Sequence, residues 1–102
     1  MRRRRCRVLW TLPALNGLKR IALYIRAENP PAAKRFATHV RKKVDRLSHF
    51  PQLGRVVPEF PESGLRELIH GNYRIIYRVH PDTVAIVSVY HGQRLLDREP
   101  GS

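Results

Sequence analysis

The sequence predicts an α+β fold: a short N-terminal strand, an antiparallel helical hairpin, then a three-stranded antiparallel meander. Three observations carry this. Apolar residues recur at helical spacing in two consecutive stretches between Leu15 and Leu47. Only Asn29-Pro30-Pro31 interrupts them, too short a break for anything but a hairpin. After Gly64 the hydrophobic period switches to two.

Each element follows in order. Arg7–Thr11 (Arg-Val-Leu-Trp-Thr) suits a strand, because Val and Trp fit a half-buried pleated surface. Thr11 reads as a helix N-cap, with Pro13 in the first turn, where a missing N–H costs nothing. Leu15, Leu18, Ile21, Ala22 and Ile25 form the first apolar stripe. Asn29 ends that helix, since a residue preceding Pro is pushed out of the helical region. In the second helix Ala33, Phe36, Ala37, Val40, Val44 and Leu47 make a stripe of about four turns. Its other face is basic, with Lys34, Arg35, Arg41, Lys42, Lys43 and Arg46. Between Phe50 and Gly64, Pro51, Gly54, Pro58 and Pro61 mark an irregular connection.

Leu65–His70, Tyr73–Val79 and Val84–Tyr90 read as the three strands of the meander. Gly71-Asn72 is a two-residue hairpin turn, and His80–Thr83 a four-residue loop. That turn sets Ile69 opposite Arg74, Leu68 opposite Ile75 and Arg66 opposite Tyr77. Leu68, Tyr73, Ile75, Tyr77 and Val79 then share the face that packs on the helices. Arg66 falls on that face too, so its head group must reach past an edge. Glu67, Ile69, Arg74, Ile76 and Arg78 share the other face. The second loop would set Val89 opposite Arg74, with His91 following on the same mixed face.

The chain has 102 residues, read as a single domain over 1–102 with a basic arm at 1–6 and a flexible tail at 95–102. A lone cysteine, Cys6, rules out an internal disulfide framework. No apolar run approaches the roughly 20 residues that span a bilayer. The opening Met-Arg-Arg-Arg-Arg is positive like the start of a signal peptide, but Val8–Leu12 is too short for its apolar core. A cytoplasmic location is therefore expected. With 20 Lys plus Arg against 8 Asp plus Glu, the formal net charge is +12. Such a charge invites an anionic partner: nucleic acid, a membrane surface or an acidic protein. A solvated basic surface without a dedicated ligand is the plain alternative.

Several local patterns stand out in the first half: Val8-Leu-Trp-Thr11, Tyr24-Ile25 before Asn29-Pro30, Ala32-Ala33-Lys34-Arg35-Phe36, and Phe50-Pro51 with Gly54-Arg55. Further along are Arg66-Glu67-Leu68, Gly71-Asn72-Tyr73-Arg74-Ile75-Ile76-Tyr77-Arg78-Val79 and His91-Gly92-Gln93-Arg94. Together they cover residues 8 to 94. In this order and spacing they resemble the RelE/ParE superfamily of type II toxin–antitoxin toxins. The resemblance implies a helical hairpin on a small antiparallel sheet and a cognate antitoxin, acidic and partly disordered, that wraps and neutralises the toxin. It implies plasmid stabilisation or growth inhibition as the biological setting, and contact with operator DNA only through the antitoxin. It implies one of two targets: RelE-like members cleave mRNA in the ribosomal A site without a metal, and ParE-like members inhibit DNA gyrase.

Metal-independent RNA cleavage needs groups that move protons and fixed cations that stabilise the phosphorane. By the resemblance, Arg74 matches the phosphate-stabilising arginine of RelE-like nucleases, and Arg94 the arginine after the last strand. His91 lies near both in sequence and suits an acid or base role. Arg66 takes roughly the place of a basic residue on the preceding strand, and Arg78, Arg41 and Lys42 are further candidates for contact with nucleic acid or target. The tail after Arg94, Leu-Leu-Asp-Arg-Glu-Pro-Gly-Ser, lacks the Tyr or His of many RelE-like nucleases. Arg66 and Leu68 stand where a lysine pair is usual. These departures favour a ParE-like gyrase inhibitor over a ribonuclease. A basic nucleic-acid-binding or co-repressor module is the alternative of another class.

Plainer roles stand beside these. Arg74 can bridge diagonally to Glu67 across the hairpin. Arg78 can be a solvated or bridging residue, and His91 can simply close a strand. Tyr73, Tyr77 and Tyr90 alternate with apolar residues as core positions do. His39, His49, His70 and His80 have no metal-ligand spacing, so neither metal nor cofactor is expected.

Overall fold

The computed structural model describes residues 5–92 and Pro100. Strand β1 (Arg7–Trp10) leads into helix α1 (Leu12–Glu28) and helix α2 (Pro30–Asp45), which a 3₁₀ turn (Arg46–Ser48) closes. Four strands follow: β2 (Arg55–Val56), β3 (Leu65–His70), β4 (Tyr73–Val79) and β5 (Thr83–His91).

Local chemistry sets the helix ends. The Thr11 hydroxyl accepts from the Ala14 N–H and donates to Ile86 O at 2.7 Å, so one side chain caps α1 and ties it to β5. Asn29 serves both helices. Its N–H closes α1 on Ile25 O, and its side-chain oxygen accepts from Ala32 N at 3.1 Å to open α2. One residue thus replaces a loop, with Pro30 already fixed for helical φ.

The sheet order is β1-β5-β4-β3-β2. The expected meander β3–β4–β5 forms its centre, but the sheet is larger and mixed. β1 pairs in parallel with β5, Arg7 opposite Thr83 and Trp10 opposite Ile86. A parallel pair needs a long connection, and the helical hairpin with β2, β3 and β4 supplies it between β1 and β5. At the far edge β2 pairs with β3 through two residues inside the stretch read as irregular. A two-residue strand is too short to show a period.

Between β3 and β4 the register is as expected, with Ile69 opposite Arg74 and Arg66 opposite Tyr77. Gly71, at φ +58°, supplies the turn's left-handed residue. The β4–β5 register is corrected by one residue. Tyr77 faces Ile86 and Ile76 faces Ser88, which leaves Val87 as a bulge. Beyond it Tyr90, not Val89, lies opposite Arg74, and His91 lies opposite Tyr73 on the helix side. The bulge turns Val89 into the core, where an unbroken alternation would have put Ser88.

The main core joins Ala14 and Leu18 of α1 and Phe36, Val40 and Val44 of α2 to Leu68, Ile75, Tyr77, Val84, Ile86 and Val89 of the sheet. α1 approaches β5 so closely that a Cβ on Gly17 would stand 2.5 Å from Val89 O. A smaller cluster covers part of the opposite sheet face. There Val57 and Phe60 of the loop after β2 pack on Leu65, Ile76, Val87 and Tyr90.

Candidate functional site

Glu67 and Arg74 stand diagonally on adjacent strands of the face away from the helices. The Arg74 guanidinium donates to Glu67 Oε1 through Nε at 2.8 Å and through Nη2. Its outer edge meets Glu59 of the loop as a fork, Nη1 to Oε2 at 2.6 Å and Nη2 to Oε1 at 2.8 Å. The second Glu67 oxygen accepts from Arg55 Nε at 2.6 Å. Arg74 is 5% exposed and Glu67 1%, so the inner half of this four-residue network is dry. Such burial is tolerable because each charge is paired and hydrogen-bonded. The Glu59 hydrogen bonds, with those of Glu67, hold the Arg74 pKa well above its ordinary value despite desolvation.

An open groove of about 560 Å³ lies before this network, between the loop and the β3–β4 turn. Arg55, Pro58, Glu59, Ile69, Asn72 and Arg74 line it.

The structure does not gather the sequence candidates into one site. Arg74 is the network's hub, and the diagonal bridge to Glu67 is present. His91 sits on the other sheet face, its ring edge-on to Tyr73 at 5.5 Å. Arg66 reaches past the sheet edge, as its position requires, and donates to Gly54 O at 2.7 Å. Arg78 donates to Ser63 O at 2.8 Å. Both arginines thereby brace the loop on the sheet. Arg41 and Lys42 lie exposed on α2, the layer on the opposite side of the sheet from Arg74. Arg94 lies outside the described residues. Among the described residues no three metal-ligating side chains converge.

Sequence reasoning missed Glu59 and Arg55. Their only signal was two opposite charges in a loop, whose path no periodicity records. It also missed a ladder of rings from α2 to the end of β5. His39 meets His70 at 6.0 Å, Phe36 meets His70 at 5.8 Å and Tyr73 at 5.0 Å. Burial, then the charges of Lys43 and His39, lower the His70 pKa from its ordinary value.

The model of the ParE toxin of type II toxin–antitoxin systems matches residues 8–96. The chain belongs to the ParE toxin family. It is 38% identical over 92 residues to Y4kP of Sinorhizobium fredii, whose name marks it as a candidate toxin; the match covers 88% of this chain and 92% of that one. It is 37% identical over 89 residues to Toxin RelE2 of Caulobacter vibrioides, covering 86% and 97%. The fold is shared with the chromosomal ParDE toxin–antitoxin system of P. aeruginosa, at TM-score 0.75, 18% identity and 86% and 97% coverage. It is also shared with the RelBE2 toxin–antitoxin complex of Mycobacterium tuberculosis, at TM-score 0.60, 26% identity and 85% and 98% coverage. The superfamily expected from the motifs is therefore correct. Among the described residues of this ParE-family toxin, no helix is long and apolar enough to cross a membrane.

Proposed function

We propose that this toxin arrests growth by inhibiting DNA gyrase and is neutralised by a cognate antitoxin. The observation that carries the choice of target is the state of Arg74. A nuclease of the RelE type needs that cation free to meet the charge developing on a phosphate. Here four charge-assisted hydrogen bonds commit it to Glu59 and Glu67, and His91 stands on the other face of the sheet. Withdrawing Arg74 would leave the Glu67 carboxylate buried beside Arg55 alone, a costly state.

The titles of the solved relatives, a ParDE system and a RelBE2 complex, support an antitoxin partner. So does the chain itself. At +12 it suits an acidic segment that folds on binding. The outer side of α1 offers exposed Leu12, Leu15 and Leu23, with Tyr24 beside them, as apolar anchors for an amphipathic helix. Operator contact through that antitoxin completes the reading. The name RelE2 of one relative favours the second reading, ribosome-dependent mRNA cleavage by a metal-independent endoribonuclease.

Two assays on the purified toxin decide. Supercoiling by gyrase should stop on adding the toxin and resume on adding the antitoxin, while primer extension on ribosome-bound mRNA should show no new ends. Cut mRNA with unimpaired gyrase would reverse the assignment.

A further inference from the structure

Arg74 is held from two sides that differ in kind. On the inner side Glu67, on the neighbouring strand and fully buried, accepts from Nε and Nη2. On the outer side Glu59 arrives on the loop and takes Nη1 and Nη2 as a fork. Glu59 and Arg74 both line the groove. The loop has other fixings. Val57 N–H donates to Leu65 O, Phe60 N–H to Val57 O and Ser63 N–H to Phe60 O. Val57 and Phe60 pack on the sheet, and Arg78 holds Ser63 O. The course of the loop therefore survives without the Glu59 carboxylate, which is the partly exposed member of its pair.

We infer that Glu59 is an autoinhibitory group: its carboxylate fills, from within the chain, the place where Arg74 would hold an external phosphate group. Charge gives the contact this consequence. Arg55 and Arg74 balance Glu59 and Glu67, so the closed network is neutral. Arg55 and Arg74 against Glu67 alone leave a net +1. Removing Glu59 also frees the outer edge of the guanidinium, Nη1 and Nη2. Two parallel N–H donors of this kind are what a phosphate accepts as a fork. Arg55 stands beside them, since its Nε bonds the other oxygen of the same Glu67 carboxylate. Its side chain is 63% exposed and lines the same groove. A carboxylate ligand has only the two oxygens that the Arg74 fork takes, whereas a phosphate group keeps a further oxygen for Arg55. Space for it is present, because the groove of about 560 Å³ lies open before the pair. In the closed state Glu59 excludes phosphate, and the inner bonds to Glu67 keep Arg74 in place whether the latch is shut or open.

This rests on the reading of Arg74 as withheld from phosphate chemistry and names the residue that withholds it. The test follows the Arg74 Nε–H resonance of the full-length toxin by NMR while inorganic phosphate replaces chloride at constant ionic strength. In the wild type the resonance should stay in place. In Glu59→Ala it should shift to saturation, with phosphate bound about 10- to 100-fold more tightly than by the wild type, as regained charge-assisted hydrogen bonds require. Glu62→Ala removes the same charge from the same loop at an exposed position and should behave as the wild type. Glu59→Gln keeps the side-chain shape, guards against a folding defect in the alanine variant and should show a smaller gain of the same kind. Urea unfolding confirms that each variant folds. Wild-type binding as tight as that of Glu59→Ala, no binding by either Glu59 variant, or an equal gain in Glu62→Ala would each overturn the inference. None of these results involves gyrase, and a toxin that leaves gyrase unimpaired would not change them.

Discussion

Arg74 and Glu59 meet fork to fork across the groove, and the same guanidinium rests its inner edge on Glu67. The two carboxylates are unequal partners. The Glu67 side chain is fully buried and binds two arginines, whereas that of Glu59 is 19% exposed. Removing Glu67 leaves the buried inner edge of Arg74 without an acceptor, although Glu59 still holds its outer edge, and should cost about 3–5 kcal/mol in Glu67→Ala. Removing Glu59 leaves Arg74 its inner partner and should cost about 1.5–3 kcal/mol in Glu59→Ala. Urea unfolding of both variants measures the difference. Equal losses would show that the inner pair is no more than a surface bridge.

The loop is fastened at Gly54. Its N–H donates to Tyr77 Oη at 2.8 Å while its carbonyl accepts from Arg66. A Cβ here would stand 2.5 Å from Glu67 O and 2.7 Å from Tyr77 Oη. Burial raises the Tyr77 pKa, so the phenol stays protonated at neutral pH. Tyr77→Phe leaves the Gly54 N–H unsatisfied and should lose about 1–3 kcal/mol by chemical denaturation. Gly54→Ala must move the backbone of β3 or the Tyr77 ring and should lose at least as much. Neutral behaviour in Tyr77→Phe would mean that water replaces the hydroxyl.

His70 should make stability depend on pH in a defined direction. Burial, Lys43 and His39 all favour its neutral form in the folded protein. Its folded pKa is thus below the unfolded value near 6.5. The contribution is complete above about pH 6.5 and is lost as pH falls from there through the lowered folded value. The melting temperature of the wild type should drop on acidification below about pH 6.5, and His70→Gln should flatten that part of the profile. The same drop in both proteins would assign the effect to another group.

At Gly17 two effects compete. Alanine raises helix propensity by about 1 kcal/mol. Its Cβ would also stand 2.5 Å from Val89 O, on a backbone that cannot swing aside. Overpacking of this kind costs about 1–3 kcal/mol. The clash should prevail, so Gly17→Ala melts below the wild type. A higher melting temperature would show that α1 can slide on β5.

Much of this was legible in the sequence. The two helices were readable because each buries a clean stripe, and the β3–β4 register because Gly71-Asn72 fixes it. That register placed Glu67 diagonal to Arg74 and so exposed the inner half of the network. The outer half was not readable: Glu59 arrives on a loop whose course depends on Val57 and Phe60 packing on the sheet. The bulge at Val87 escaped because Val84-Ala-Ile-Val remains apolar in either register. The parallel seat of β1 escaped because its partner lies 76 residues further on, Arg7 against Thr83, where no local pattern reaches.

That last pairing bears on biosynthesis. β5 seats β1 on one side and β4 on the other, and α1 packs across it. A nascent chain that has not yet delivered β5 has no place for its first strand and only half a support for its first helix. The contacts that complete the molecule are long-range and form late. The sheet of this protein therefore cannot close around its first strand until the residues of β5 have left the ribosome.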